Sequence, residues 1–418
     1  MTTVGADRLA DLVAEYRART PRSAAAHERA ARVLPGGETR SITTYPPHPV
    51  IVAEGHGARL RDVDGHTYLD LVNNYTSLVH GNAFPPVTEA VTAILAGGLA
   101  FASAHQRQIE LAELLVDRVP SVERVRFTNS GTEASILASR LARRATGRKA
   151  LLMFDGAYHG SMPPLLPGEP DVVAVPYNDL HAVGEALTDD VAAVFAEPFL
   201  GAGGVVPAAP GFLAGVQDLA RSRGALFVLD EIQALRNGVA GEQGRQGLSP
   251  DLTLLGKIIG GGMPIGAVGG RADVMLLAAS TTPGSITHSG TFNGHLAAAV
   301  AGAVTLRHLD APAISTLEGH AVRLAEAVTA AGRDAGLPLT VTRAGSILNV
   351  HFAAEAPSDA AGVRAVASPL LAALHLALLL EGVYTAPRGL INMSTALTDD
   401  DIDRAAAAYS TALRRIAW

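Results

Sequence analysis

Cysteine is absent from the 418 residues of this chain, which excludes thiol catalysis, disulfides, iron–sulfur clusters and cysteine-based zinc sites. Lysine is almost absent too. Only Lys149 and Lys257 occur among the 33 basic residues, the rest being arginine; Arg-rich codon usage accounts for the bias, and it makes each lysine a position to weigh. Excess positive charge is also missing. With 40 acidic residues the net charge is −7, the wrong sign for a protein that tracks nucleic acid. No apolar run is long enough to span a bilayer, since the greasiest, residues 370–380, contains His375 and reads as a buried helix. The first twenty residues mix charges and offer no apolar h-region, so no signal peptide is expected and the chain reads as cytoplasmic. What it does have is core. Hydrophobic residues make up 48% and charged ones 17%, enough for an enzyme-sized globular subunit with small-molecule ligands.

The texture of the chain changes twice. Helical patterns over residues 6–19 and 24–32 give way to the loop LPGGETRSITTYPPHPV, and RLRDVDGHTYLDL from Arg59 predicts a hairpin turning at Asp64 and Gly65. Helices are expected at 85–96 and 106–119, then a strand RVRFT leading into a helix. Apolar runs at 151–154, 171–177, 191–197, 225–231 and 252–256 alternate with helical or Gly-rich pieces, the signature of an α/β sheet covered on both faces. After about residue 310 the pattern turns to two or three Ala/Leu-rich helices around a strand GSILNVHF. The expected units are residues 1–60 (N-terminal helices and active-site loop), 61–310 (large domain) and 311–418 (small C-terminal domain).

Three elements can carry chemistry. In TNSGTEASILASRLA a strand ends near Thr128 and a helix begins at Ser130, Gly131 and Thr132, so free N–H groups, hydroxyls and the helix dipole converge on an anion site; Ser-Gly-Thr also caps ordinary helices. In FVLDEIQ, Asp230 and Glu231 end an apolar strand, at the carboxyl edge where α/β sheets bind ligands. A buried carboxylate there needs a metal, an arginine or a protonated ring nitrogen. In LTLLGKIIGGGMPIGAVGG, Lys257 lies in apolar surroundings that lower an amine's pKa, as an imine-forming lysine requires. Lys149, in TGRKA, reads as a surface charge.

A phosphate anchor, a ring-nitrogen partner and an aldehyde acceptor on one sheet are what pyridoxal 5′-phosphate requires. The order SGTEA, YHG, DEIQ, GK in a Gly-rich run and HSGTF resembles the fold-type I, class III (ω-) aminotransferases over nearly the whole chain. That resemblance implies an α/β fold with a mostly parallel seven-stranded sheet and a smaller α+β C-terminal domain. It further implies that Ser130, Gly131 and Thr132 hold the phosphate, Tyr158 and Ile232 cover the two ring faces, Asp230 pairs with the ring nitrogen and Gln233 sits by the phenolic oxygen. Lys257 would form the imine with the cofactor and shuttle the proton, with pyridoxamine phosphate carrying the amine between substrates. Glu197, in EPFLG, is placed among the cofactor-binding residues, although Leu200 stands where many relatives carry a polar residue. Thr291 of HSGTF would reach the phosphate of a neighbouring subunit, implying a homodimer with shared active sites.

Within the family the chain is similar to β-amino acid (β-phenylalanine-type) aminotransferases and to glutamate-1-semialdehyde aminomutases. Arg40 stands in the loop that enters the active site in both, whereas Arg388 lies where the aminomutase pattern has a Ser followed shortly by a Glu. Two guanidiniums suit two carboxylate substrates in turn. The resemblance thus implies an aminotransferase with Arg40 on the β-amino acid donor, Arg388 on a keto acid such as 2-oxoglutarate or pyruvate, and Tyr75 as a pocket wall. The alternative is an aminomutase.

Overall fold

The computed structural model describes residues 3–417. Its centre is a seven-stranded sheet of β1 (Arg124–Thr128), β2 (Ala150–Phe154), β3 (Val172–Val175), β4 (Val191–Ala196), β5 (Leu226–Asp230), β6 (Leu252–Gly256) and β7 (Gly266–Gly270). Their order across the sheet is β1-β7-β6-β5-β4-β2-β3. Every pairing is parallel except the two that β7 makes with its neighbours. The interior strands β2, β4 and β6 are buried at every residue, as strands between two helical layers must be. The edge strands β1 and β3 are partly exposed.

The apolar runs in the sequence fall on β2 to β6, and RVRFT is β1, but the Gly-rich segment after Lys257 conceals a strand. No strand is expected at residues 266–270, because GAVGG carries no apolar pattern. In the structure Gly266 lies opposite both Thr128 and Gly256, and a Cβ there would collide with the Ser130 carbonyl. Only glycine lets this strand insert between β1 and β6 with its backbone against the loop that follows Thr128.

Residues 59–62 and 67–70 form the expected hairpin, joined by Val52–His56 on one side and by Val383–Tyr384, running parallel, on the other. The C-terminal region holds more than expected. It contains the helices Ala311–Asp334, Ala360–Ala365, Leu370–Leu380 and Asp399–Ile416, and an antiparallel sheet of Thr340–Ala344, Ile347–His351 and Leu390–Asn392. Two of those strands escape sequence reading because one alternates weakly and the other has three residues.

Helix Leu370–Leu380 is buried from Ala373 to Leu380. His375 packs edge-on against Tyr45, with ring centroids 4.3 Å apart. Burial drives its pKa from 6.5 down to about 3, a backbone contact with Thr385 only partly opposing it. The folded state therefore keeps this ring neutral while the unfolded chain protonates it below about 6.5, so stability is lost as pH falls from about 6.5 towards 3. His375→Leu removes this contribution. Urea midpoints at pH 7 and pH 5 should fall less for the variant than for wild type; equal falls would show that His375 does not titrate on unfolding.

Candidate active site

Six strands point their carboxyl ends the same way, so the segments that follow them meet along one edge of the sheet. At the end of β5, Asp230 is buried. Its Oδ1 accepts from the Ile232 N–H at 3.0 Å, and its Oδ2 accepts from His159 Nδ1 at 2.8 Å. Burial lowers the His159 pKa, but the hydrogen bond to Asp230 and the charges of Asp230 and Glu197 outweigh it and raise it overall. The imidazole thus holds the carboxylate in place and compensates its charge. Glu197, following β4, accepts from the N–H groups of Tyr158 (3.0 Å) and Gly201 (3.2 Å). Burial raises its pKa to about 7. Leu200 beside it is fully buried.

Beyond β1, Ser130 caps helix Gly131–Thr146, its Oγ accepting from the Glu133 N–H at 3.2 Å. The N–H groups of Gly131 and Thr132, ahead of Glu133, have no partner within the helix, and these residues border a cleft of about 540 Å³. The floor is apolar. A Cβ on Gly131 would stand 2.7 Å from Ile232 Cδ1, and one on Gly160 would stand 2.9 Å from Thr132 Oγ1. Gly201 leaves room for the Gln233 carboxamide, which any side chain there would strike.

Lys257 directly follows β6, with φ of +49°. Burial lowers its pKa; Asp230 and Glu197 pull the other way, and Arg388 and Arg40 lower it further. A larger neutral fraction makes the amine a nucleophile and a base. Lys149 is exposed at the surface.

The cleft brings together Arg40, Ser130, Gly131, Thr132, Tyr158 and Glu197 with Asp230, Ile232, Gln233 and Lys257. Tyr75 and Arg388 adjoin it. The Cζ atoms of Arg40 and Arg388 lie 5.3 Å and 5.8 Å from the Tyr75 ring centroid, within cation–π range. Thr291 is not brought to this cleft; it is exposed beside Phe101 and Phe292, both more than half exposed. A site reading that needs Thr291 therefore needs a second copy of the chain.

Two residues escaped sequence reading. His159 stands 71 positions from the carboxylate it holds, a separation no periodicity reveals. Asn74 accepts from Arg40 Nη1 at 2.7 Å, from within a left-handed turn. Residues Asn73 to Thr76 have φ of 47°, 48°, 53° and 75°, a conformation that costs about 1–2 kcal/mol per non-glycine residue. The Asn-Asn pair was its available signal, since Asn tolerates this region best. Asp70 supports the turn by accepting from the N–H groups of Val72 and Asn73, both at 2.9 Å.

The match to known proteins spans the chain. The model of the aminotransferase class-III family matches residues 42–166 and 166–413. A β-phenylalanine transaminase from Variovorax paradoxus is 37% identical over 98% of this chain and 97% of its own. The crystal structure of a β-phenylalanine aminotransferase from that organism matches with a TM-score of 0.92 at 36% identity, covering 97% of this chain and 96% of its own. A glutamate-1-semialdehyde 2,1-aminomutase 2 from Geobacillus kaustophilus is 38% identical over 94% of this chain and 98% of its own. The structure of a transaminase with PLP bound has a TM-score of 0.87 at 32% identity, covering 95% and 98% of the two chains. An anion cup, an apolar floor, a braced carboxylate and a desolvated lysine in one cleft fit pyridoxal 5′-phosphate, and this chain belongs to the class-III aminotransferases that use it.

Proposed function

We propose that this class-III aminotransferase moves the amino group of a β-amino acid to a keto acid such as 2-oxoglutarate or pyruvate. The observation that carries the reading is the pair of guanidiniums flanking Tyr75. Neither Arg40 nor Arg388 forms an ion pair among the described residues, and burial lowers the Arg388 pKa, as expected of a charge kept for an incoming carboxylate. Two such groups serve two substrates taken in turn. An aminomutase keeps the amine on one skeleton and has no need of the second.

Pyridoxal 5′-phosphate, when bound, supplies the electron sink that lets the amine-bearing carbon lose a proton. Ser130, Gly131 and Thr132 would hold its phosphate, Ile232 and Tyr158 its ring faces, Asp230 its ring nitrogen and Gln233 its phenolic oxygen. Glu197 fixes the Tyr158 backbone and so the aromatic face above Ile232. His159 keeps Asp230 oriented through its hydrogen bond. Arg40 places the donor by its carboxylate, so that the amine-bearing carbon comes to Lys257, whose Nζ takes its proton and returns one in the second half-reaction. Thr291 would complete the phosphate site of a partner copy in a homodimer. Exposed Phe101 and Phe292 beside it support an interface on that face.

The test is turnover of 3-aminocarboxylates, compared with α- and ω-amines, with and without 2-oxoglutarate or pyruvate. Product formation from 3-aminocarboxylates that requires the keto acid is expected; turnover without it would identify an aminomutase, and turnover of α- or ω-amines alone would reject the substrate class. Arg388→Ala should raise the KM for 2-oxoglutarate about 10- to 100-fold, the loss of one charged bidentate contact. The donor half-reaction, followed by single-turnover absorbance, should be unaffected.

A further inference from the structure

The turn Asn73–Thr76 is built to hold one side chain at one place. Its strain is offset by bonds on every side: Asp70 binds the backbone of Val72 and Asn73, Asn73 Nδ2 donates to the Asn392 carbonyl at 2.9 Å, and Asn74 Nδ2 donates to Ser77 Oγ at 2.9 Å. Strain held this firmly marks a functional geometry. What the turn presents is the Asn74 carboxamide oxygen to Arg40 Nη1 at 2.7 Å, and the Tyr75 hydroxyl to the Ile42 carbonyl at 2.7 Å. Both contacts go to the loop that carries Arg40. The acceptor is neutral, so it fixes the guanidinium without cancelling its charge, and the remaining N–H donors of Arg40 are bonded to no other group among the described residues.

We propose that Asn74 is a specificity-determining positioning residue, which presets Arg40 to receive the carboxylate of the amino donor while leaving the Arg388 site untouched. This rests on the assignment of Arg40 to the donor in the proposed function. An arginine on an exposed loop loses much of its rotamer freedom when it binds. A carboxamide that has already ordered it removes that loss from the binding step. The arrangement acts on one of the two substrates only, because Arg388 bonds to the Ala202 carbonyl at 3.4 Å and shares no hydrogen bond with Asn74.

Glycine and aspartate both accept the left-handed backbone, so Asn74→Gly removes the carboxamide and Asn74→Asp replaces it with a charge; both lose the Nδ2 bond to Ser77, while the bonds from Asp70 and Asn73 that hold the turn remain. Two measurements on the cofactor-loaded enzyme decide the matter: KM and kcat for a 3-aminocarboxylate and for 2-oxoglutarate, and calorimetric binding of 3-phenylpropionate, which has the carboxylate but no amine. Asn74→Gly should raise the donor KM and weaken 3-phenylpropionate about fivefold, the scale of one exposed contact to a charge, with kcat and the 2-oxoglutarate KM unchanged. Asn74→Asp should weaken both further, because an ion pair occupies Arg40. Unchanged 3-phenylpropionate affinity in Asn74→Gly, or equal losses for donor and keto acid, overturns the inference. If wild type turns over no 3-aminocarboxylate, the proposed function fails, and the 3-phenylpropionate comparison still decides for or against Asn74.

Discussion

Lys257→Ala lowers the rate of the donor half-reaction by ~10⁴-fold or more. The other lysine, Lys149, lies exposed at the surface, so the chain has no second lysine to deliver to the cleft. The backbone at 257 is left-handed and follows the last residue of β6 directly; alanine occupies it with no more strain than lysine, so the fold should survive. Thermal midpoints within a few degrees of wild type would confirm that. The variant should retain cofactor yet lose the visible absorbance that a lysine-bound cofactor gives, and Lys149→Ala should leave both rate and absorbance unchanged. An absorbance band that persists in Lys257→Ala would show that the lysine is misassigned.

Arg236→Ala should cost about 3–5 kcal/mol of folding stability. Arg236 is fully buried and is the largest side chain of the interior. Its partners are all neutral: Nε donates to Ser346 Oγ at 3.1 Å, Nη1 to Asn392 Oδ1 at 3.3 Å, and Nη2 to the Met393 carbonyl. Burial without a carboxylate lowers its pKa to about 9. Truncation leaves these acceptors buried and unpartnered and opens a cavity. Asn237 binds the same region, its Nδ2 donating to the Ala344 carbonyl at 3.2 Å. The short segment carrying Asp230, Ile232 and Gln233 is therefore bolted to the C-terminal sheet, and loosening it should slow the reaction as well. Urea unfolding of Arg236→Ala and Arg236→Met separates the causes, because methionine restores much of the volume but none of the donors. A wild-type midpoint for Arg236→Ala would mean the network is dispensable.

Much of this was legible in the sequence, for identifiable reasons. Parallel strands buried on both faces must be uniformly apolar, so β2, β4 and β6 announced themselves, and the scarcity of lysine singled out Lys257. The SGT turn was readable because capping and anion binding need the same groups. Strand β7 was not readable, since a strand of glycines has no side-chain pattern and exists only because its neighbours leave no room for side chains. The His159–Asp230 pair joins the loop after β2 to the end of β5, a relation that exists only in three dimensions. The Arg40, Tyr75 and Arg388 cluster was half legible: its members stood in family positions, but the left-handed turn that arranges them did not show.

The ladder between residues 67–70 and Val383–Tyr384 has a consequence for how the enzyme is made. The strand Thr67–Asp70 leads into the turn that holds Asn74 and Tyr75, and Val383–Tyr384 leads to Arg388; Leu69 pairs with Val383 and Asp70 with Tyr384. Every side chain proposed above to hold the cofactor within one subunit is synthesised by residue 257. The substrate layer is not complete until some three hundred residues separate the two halves of that ladder, a contact of high sequence separation and so late to form. A nascent chain therefore carries Arg40, Tyr75 and Lys257 before it carries Arg388, so on the proposed assignment the keto acid site is the last part of the cleft to be completed.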